Sequence, residues 1–197
     1  MSLPYSVKNN NYHKNQKNST IYTPNSVSKY LYEILHTHIN PKVILDPSIG
    51  QGPLIKPWRN KKCTIIGIDI DKRSKNYCDK FIHSKFEDVE SWPHKIPDLI
   101  LCNPPFNGAA GRKLYSEVFL RQIVGLFGNK VPVVLFAPMG FRLNLTVNSS
   151  RWNWLINTID ISSIISLPKN CFNEVIFHTE ILVFNVPKLK PHYFLCA

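Results

Sequence analysis

The chain has 197 residues, 44% of them apolar, and a formal net charge of +11. That length suits one domain with a sizeable core, and no apolar run is long enough to span a bilayer, so no membrane association is expected. The excess of cations favours a polyanionic partner, with nucleic acid the leading candidate and a cytoplasmic location expected.

The cysteines at 63, 78, 102, 171 and 196 lack any C-x-x-C spacing and read as reduced thiols, neither a zinc site nor a disulfide framework. His36 and His38 stand two apart on a predicted helix and so face different ways; no metal site is expected. The chain begins with Asn and Lys where a secretory signal would place an apolar core, so none is expected.

Residues 1–20 form a polar, Asn-rich tail with little to bury. A single domain is expected over 21–190, with a short tail over 191–197. At Tyr22-Thr23-Pro24 the character changes. Thr23 is placed to cap a helix, Pro24 fits its first turn, and Val27, Leu31, Ile34 and Leu35 recur at helical spacing until Pro41 approaches. Val43-Ile-Leu-Asp46 then reads as a buried strand running into Pro47-Ser48-Ile49-Gly50-Gln51-Gly52, where glycines allow a tight turn and close approach of backbone to a ligand.

The stretch between Gly50 and Gly67 is long enough for a short crossover helix. A second strand, 63–68, ends at Asp69, an acid placed to accept from ribose hydroxyls, and Asp71 is placed to cap the next helix. A third strand is expected near 81–86, leading to Asp88. Leu99 to Cys102 is a fourth, stopped at Asn103 by Pro104 and Pro105, which remove ladder donors. Its rim therefore offers an amide, two carbonyls held by stiff rings and the aromatic face of Phe106, a set suited to a flat, hydrogen-bonding, uncharged group such as a nucleobase.

Gly108 and Gly111 then frame a loop bearing Arg112 and Lys113. A helix is predicted over 114–127, with Glu117 and Arg121 as an i,i+4 pair. A strand over 131–137 continuing towards Phe141, a helix over 151–159, a strand over 161–167, the turn at 167–170 and a last strand over 178–186 complete the domain.

Taken in order, Thr23-Pro24, Asp46-Pro-Ser-Ile-Gly50-Gln-Gly52-Pro53, Asp69-Ile70-Asp71 and Asn103-Pro-Pro-Phe106 resemble the amino-group DNA methyltransferases of the adenine-N6 type, in the gamma arrangement with the cofactor motifs first. Leu167-Pro-Lys-Asn-Cys-Phe172 and Ile181-Leu-Val-Phe184 resemble that family's closing hairpin, so the likeness spans 21–187. It implies an α/β, Rossmann-like fold: a seven-stranded, mostly parallel sheet with an antiparallel last strand and helices on both faces.

The resemblance also implies S-adenosylmethionine as cofactor and methyl transfer to N6 of adenine in DNA, of the restriction-modification or orphan type. Asp46, Pro47, Gly50 and Gly52 would surround the cofactor's methionine portion with Thr23 nearby, Asp69 would hold the ribose, Ile70 would pack on the adenine, and Asp88 would accept from its amino group. Asn103 and the Pro104 carbonyl would accept the target amino hydrogens, Phe106 would stack on the flipped base with Phe172 as a second wall, and Arg112 and Lys113 would lie along the substrate. Structural readings stand beside these: a helix cap for Thr23, a strand-end turn for the glycines, core for Ile70 and Phe172, a loop acid for Asp88.

The family commonly carries a separate target-recognition domain, and the intervals 107–130 and 142–151 are too short to hold one. Sequence choice would then fall to loops, the basic surface, a specificity subunit or a homo-oligomer. The same N-P-P-aromatic rim occurs in methyltransferases of RNA bases and of protein glutamine amides; the charge favours nucleic acid, and the gamma order favours DNA over RNA. An inactive nucleic-acid-binding subunit is a further alternative, opposed by the intact Asp46, Gly50, Gly52, Asp69 and Asn103.

Overall fold

A computed structural model describes residues 22–105, 114–143, 145–172 and 178–195. Eight strands form one sheet: β1 (Val43–Asp46), β2 (Thr64–Asp69), β3 (Lys80–His83), β4 (Leu99–Cys102), β5 (Val133–Pro138), β6 (Ile161–Ser166), β7 (Thr179–Phe184) and β8 (His192–Phe194). Their order is β3-β2-β1-β4-β5-β7-β6-β8. Strand β7 runs antiparallel to both β5 and β6, and every other pairing is parallel. The sheet is thus α/β and mostly parallel, as expected, with one strand more than the sequence suggests. The extra strand, β8, adds in parallel to the edge of β6, and the antiparallel strand, β7, lies between β5 and β6.

Alternate side chains of the central strands serve two cores, because successive residues of a strand point to opposite faces. On one face Leu45, Ile66, Ile100, Val133 and Leu182 pack with Phe119, Leu120 and Ile123 of α2 (Tyr115–Phe127) and Leu155 of α3 (Ser150–Thr158). On the other Ile44, Ile65, Leu101, Val134 and Ile181 meet Val27, Leu31 and Leu35 of α1 (Asn25–Leu35) and Trp58. Burial on both faces explains why β4 reads as an unbroken apolar run and why β1 and β7 carry the apolar runs 43–45 and 181–184.

Several local expectations change. The β1–β2 crossover holds only a 3-10 turn, Lys56–Trp58. The β2–β3 crossover is a 3-10 helix, Lys72–Tyr77, which Asp71 caps by accepting from Arg73 N. Strand β5 stops at Pro138 and gives way to a 3-10 turn, Met139–Phe141. Thr23 does not cap α1: the N-cap position is Pro24, with no side-chain cap bond, and the Thr23 hydroxyl is engaged elsewhere.

Glu117 and Arg121 pair at 3.0 Å as the helical spacing predicts, and Arg151 of α3 adds a second bond to the same carboxylate at 2.6 Å. Burial raises the affinity of Glu117 for a proton, but the hydrogen bonds and charges of Arg151 and Arg121 outweigh it and hold the carboxyl below its ordinary range. No described helix is long and apolar enough to cross a membrane.

Candidate functional site

Strand order reverses between β1 and β4, which are direct neighbours although β2 and β3 intervene in sequence. Ligands of open α/β sheets bind outside the carboxyl ends of the strands at such a switch point. Here those ends carry Asp46, followed by the glycine turn, and Asn103. Two of the motifs singled out in the sequence therefore meet at one crevice.

The turn after β1 is built by two left-handed glycines, Gly50 at φ +51° and Gly52 at φ +69°. Its amides are anchored across to β2: Ile49 N donates to Ile68 O at 3.1 Å and Gly50 N to Asp69 Oδ2 at 2.7 Å. The other carboxylate oxygen of Asp69 accepts from Asp71 N at 2.8 Å. A carboxylate has about four lone-pair sites, so Asp69 keeps acceptor capacity beyond these two bonds. A Cβ added at Gly50 would lie 3.1 Å from the Tyr22 ring, and one at Gly52 would lie 3.0 Å from Tyr77 Cβ. These two aromatic residues, which no motif in the sequence points to, come from α1's entry and from the 3-10 helix after β2.

Asp46 is 1% exposed and accepts from Ser48 N at 3.0 Å. Burial pushes its carboxyl up from 3.8 to about 7; the Ser48 bond opposes the rise and the charge of Asp69 adds to it. Pro47 is buried behind it. Ile70, at the end of β2, is 68% exposed, so it is not a core residue, and His83 Nε2 donates to its carbonyl at 2.9 Å. Asp88 sits exposed on the 3-10 turn Phe86–Asp88 that succeeds β3.

Asn103 is tied to both neighbouring segments. Ser48 Oγ donates to its backbone carbonyl at 3.0 Å, and its own Nδ2 donates to Thr23 Oγ1 at 3.0 Å. Its Oδ1 is buried and, among the described residues, has no hydrogen-bond partner. A buried acceptor left open costs about 1–3 kcal/mol, so this atom is primed to take a donor from a ligand. Pro104 is buried behind it and Pro105 is exposed at the rim. Ser48 is a site residue that sequence reasoning misses; within Asp46-Pro-Ser it reads as part of a turn, with no hint of the bridge to β4.

Phe172 is 4% exposed and packs edge-on against Phe136, with ring centroids 6.3 Å apart, within the core on the α1 face. Phe106, Arg112 and Lys113 lie outside the described residues. Among the described residues no group of three or more His, Cys, Asp or Glu side chains is placed to hold a metal ion.

No protein-family model matches the sequence, and no curated protein matches it. Solved structures do. The methyltransferase subunit of a type I restriction-modification system from Streptococcus thermophilus superposes with a TM-score of 0.70 at 16% identity, covering 88% of this chain and 47% of that one. A candidate class I S-adenosylmethionine-dependent methyltransferase from Listeria monocytogenes gives 0.64 at 15%, covering 87% and 64%. The M protein of the type I restriction enzyme EcoKI gives 0.59 at 15%, covering 83% and 43%. The chain thus spans between 43% and 64% of the length of these structures. At such identities the likeness is one of architecture: the chain has the Rossmann-like fold of S-adenosylmethionine-dependent methyltransferases.

Proposed function

We propose that this protein transfers a methyl group from S-adenosylmethionine to the N6 amino group of adenine in DNA. The observation that carries the reading is the buried, unpartnered Oδ1 of Asn103 at the switch-point crevice. An exocyclic amino group is a donor of the kind this atom lacks.

The described residues fit the cofactor. The left-handed glycine turn leaves no room for side chains beside Tyr22 and Tyr77, Asp69 retains acceptor capacity next to it, and the exposed Ile70 offers an apolar surface one residue further on. When bound, S-adenosylmethionine supplies an electrophilic methyl group on a positively charged sulfur. Asp46, able to ionise near neutral pH, would place a negative charge beside that end of the site. An adenine amino nitrogen is a poor nucleophile because its lone pair is delocalised into the ring. Accepting its two hydrogens at Asn103 Oδ1 and the Pro104 carbonyl would favour a pyramidal nitrogen and direct the lone pair towards the methyl. The protein's contribution is positioning and fixed electrostatics, with no covalent enzyme intermediate.

Nucleic acid is favoured as the polymer by the net charge of +11 and by its local distribution. No acidic residue occurs from 47 to 68, and Lys56, Arg59, Lys61 and Lys62 have no ion pair among the described residues. Arg59 instead lies 5.9 Å from the Tyr77 ring centroid and Lys61 5.6 Å from that of Tyr32, giving a basic face interleaved with aromatic rings beside the glycine turn. DNA over RNA rests on the gamma-type motif order. A specificity subunit or a second copy would supply sequence choice.

The test is methyl transfer from radiolabelled cofactor to separate DNA, RNA and protein pools, run with wild type and Asn103→Ala. Label in DNA that depends on Asn103 supports the reading. Label confined to RNA or protein would overturn the substrate, and undiminished activity in Asn103→Ala would overturn the mechanism.

A further inference from the structure

Among the described residues, the Thr23 hydroxyl has no local task. The residue is 4% exposed, it stands immediately before Pro24, and α1 takes no side-chain cap bond from it. Instead Oγ1 accepts from Asn103 Nδ2 at 3.0 Å across 80 positions of sequence. A terminal carboxamide torsion is broad and roughly two-fold, so the Asn103 side chain has no intrinsic preference for which end faces a ligand. The contact with Thr23 occupies the nitrogen and leaves the oxygen as the buried end without a partner. Ser48, which bonds the Asn103 main-chain carbonyl at 3.0 Å, fixes the backbone but not this torsion.

We propose that Thr23 is a positioning residue for methyl transfer: its hydroxyl holds the Asn103 carboxamide with Oδ1 offered to the target amino group, and so acts on the substrate through Asn103. This role rests on the reading of Asn103 as the acceptor for that amino group. Without the hydroxyl, the carboxamide is free to rotate. Turning its NH2 towards an incoming amino group would set donor against donor.

Two readouts separate the roles. The first needs no cofactor or substrate. In 15N-labelled full-length protein the Asn103 side-chain amide, assigned by its disappearance in Asn103→Ala, is expected to have one proton protected from exchange. Protection is lost in Thr23→Val, which keeps the shape and removes the hydroxyl, and is retained in Thr23→Ser. The second is kinetic: at saturating cofactor, Thr23→Val lowers kcat by about 10- to 100-fold, as misplacement of a reacting group does. Thr23→Ser restores most of the rate.

An unprotected Asn103 amide in the wild-type protein would overturn the proposal whether or not any variant folds. So would a Thr23→Val protein in which kcat at saturating cofactor is unchanged. Absence of methyl transfer to every pool by the wild type would instead strike the proposed function, while the amide measurement still decides whether Thr23 orients Asn103.

Discussion

Replacing Asp46 by Asn should make the protein more stable and its cofactor binding worse. Asp46 is 1% exposed, and its carboxyl is pushed up from 3.8 to about 7, chiefly by burial. A group whose folded pKa exceeds its unfolded value binds more protons when folded, so stability falls as pH rises between the two values and levels off above the higher one. At about 1.36 kcal/mol per pH unit, holding Asp46 ionised at pH 8 costs the folded state about 4 kcal/mol.

The amide keeps an oxygen for Ser48 N but brings a donor that must find a partner, at about 1 kcal/mol or more, so the net gain expected is about 2–3 kcal/mol at pH 8. Near pH 4 both folded proteins carry a neutral side chain there, so the gain should disappear and leave a small loss of about 1 kcal/mol from the added donor. Urea unfolding of wild type and Asp46→Asn across that range measures this directly, alongside calorimetric titration with S-adenosylmethionine. A stability difference that does not grow with pH would refute the burial argument. Unimpaired cofactor binding would refute the placement of Asp46 at the cofactor's charged end.

Asn103→Ala should lower kcat by about 100- to 1,000-fold, the usual effect of removing one fixed electrostatic contact to a reacting group, while cofactor affinity measured by calorimetry changes little. Gly67→Ala should destabilise by about 1–3 kcal/mol in urea unfolding, because overpacking forces neighbours aside; a Cβ there would lie 2.7 Å from Ile49 Cδ1 and 2.9 Å from Cys78 Sγ. Glu117→Gln breaks a buried carboxylate held by Arg121 and Arg151, with an expected loss of about 2–4 kcal/mol at pH 7. Because the folded pKa of Glu117 is lowered, that loss should shrink as pH falls through and below the unfolded value of about 4.3, which denaturation at several pH values checks. Neutralising Lys56, Arg59, Lys61 and Lys62 together should flatten the salt dependence of duplex binding in fluorescence anisotropy, by about 0.9 in slope for each phosphate contact removed.

The parts of the site legible in the sequence are those set by strand ends. A buried strand halted by Asn103-Pro104-Pro105, and another running from Asp46 into two glycines, announce their termini through local chemistry, and the sheet does bring those termini to one switch point. The features that stayed hidden depend on contacts distant in sequence. Thr23 before Pro24 satisfies every local rule for a cap, yet its hydroxyl is taken by Asn103. Ser48 resembles turn filler and in fact joins the glycine turn to β4. Residue spacing allows a crossover helix after β1, but the chain makes only a 3-10 turn there. Strand β8 has three residues after Pro191 and no alternating pattern; pairing with β6 and the bond from Tyr30 Oη to Phe194 O define it. The raised pKa of Asp46 arises from burial between layers, which no local pattern encodes.

The proposed chemistry stands or falls on which atom is methylated. Incubating the wild-type protein with deuteriomethyl-labelled S-adenosylmethionine and unmethylated duplex DNA, then digesting to nucleosides for mass spectrometry, measures it directly. The label is expected in N6-methyl-2′-deoxyadenosine and is expected to be lost in Asn103→Ala. Label on a cytosine, or none in DNA alongside label in RNA nucleosides or protein glutamine under the same conditions, would contradict it.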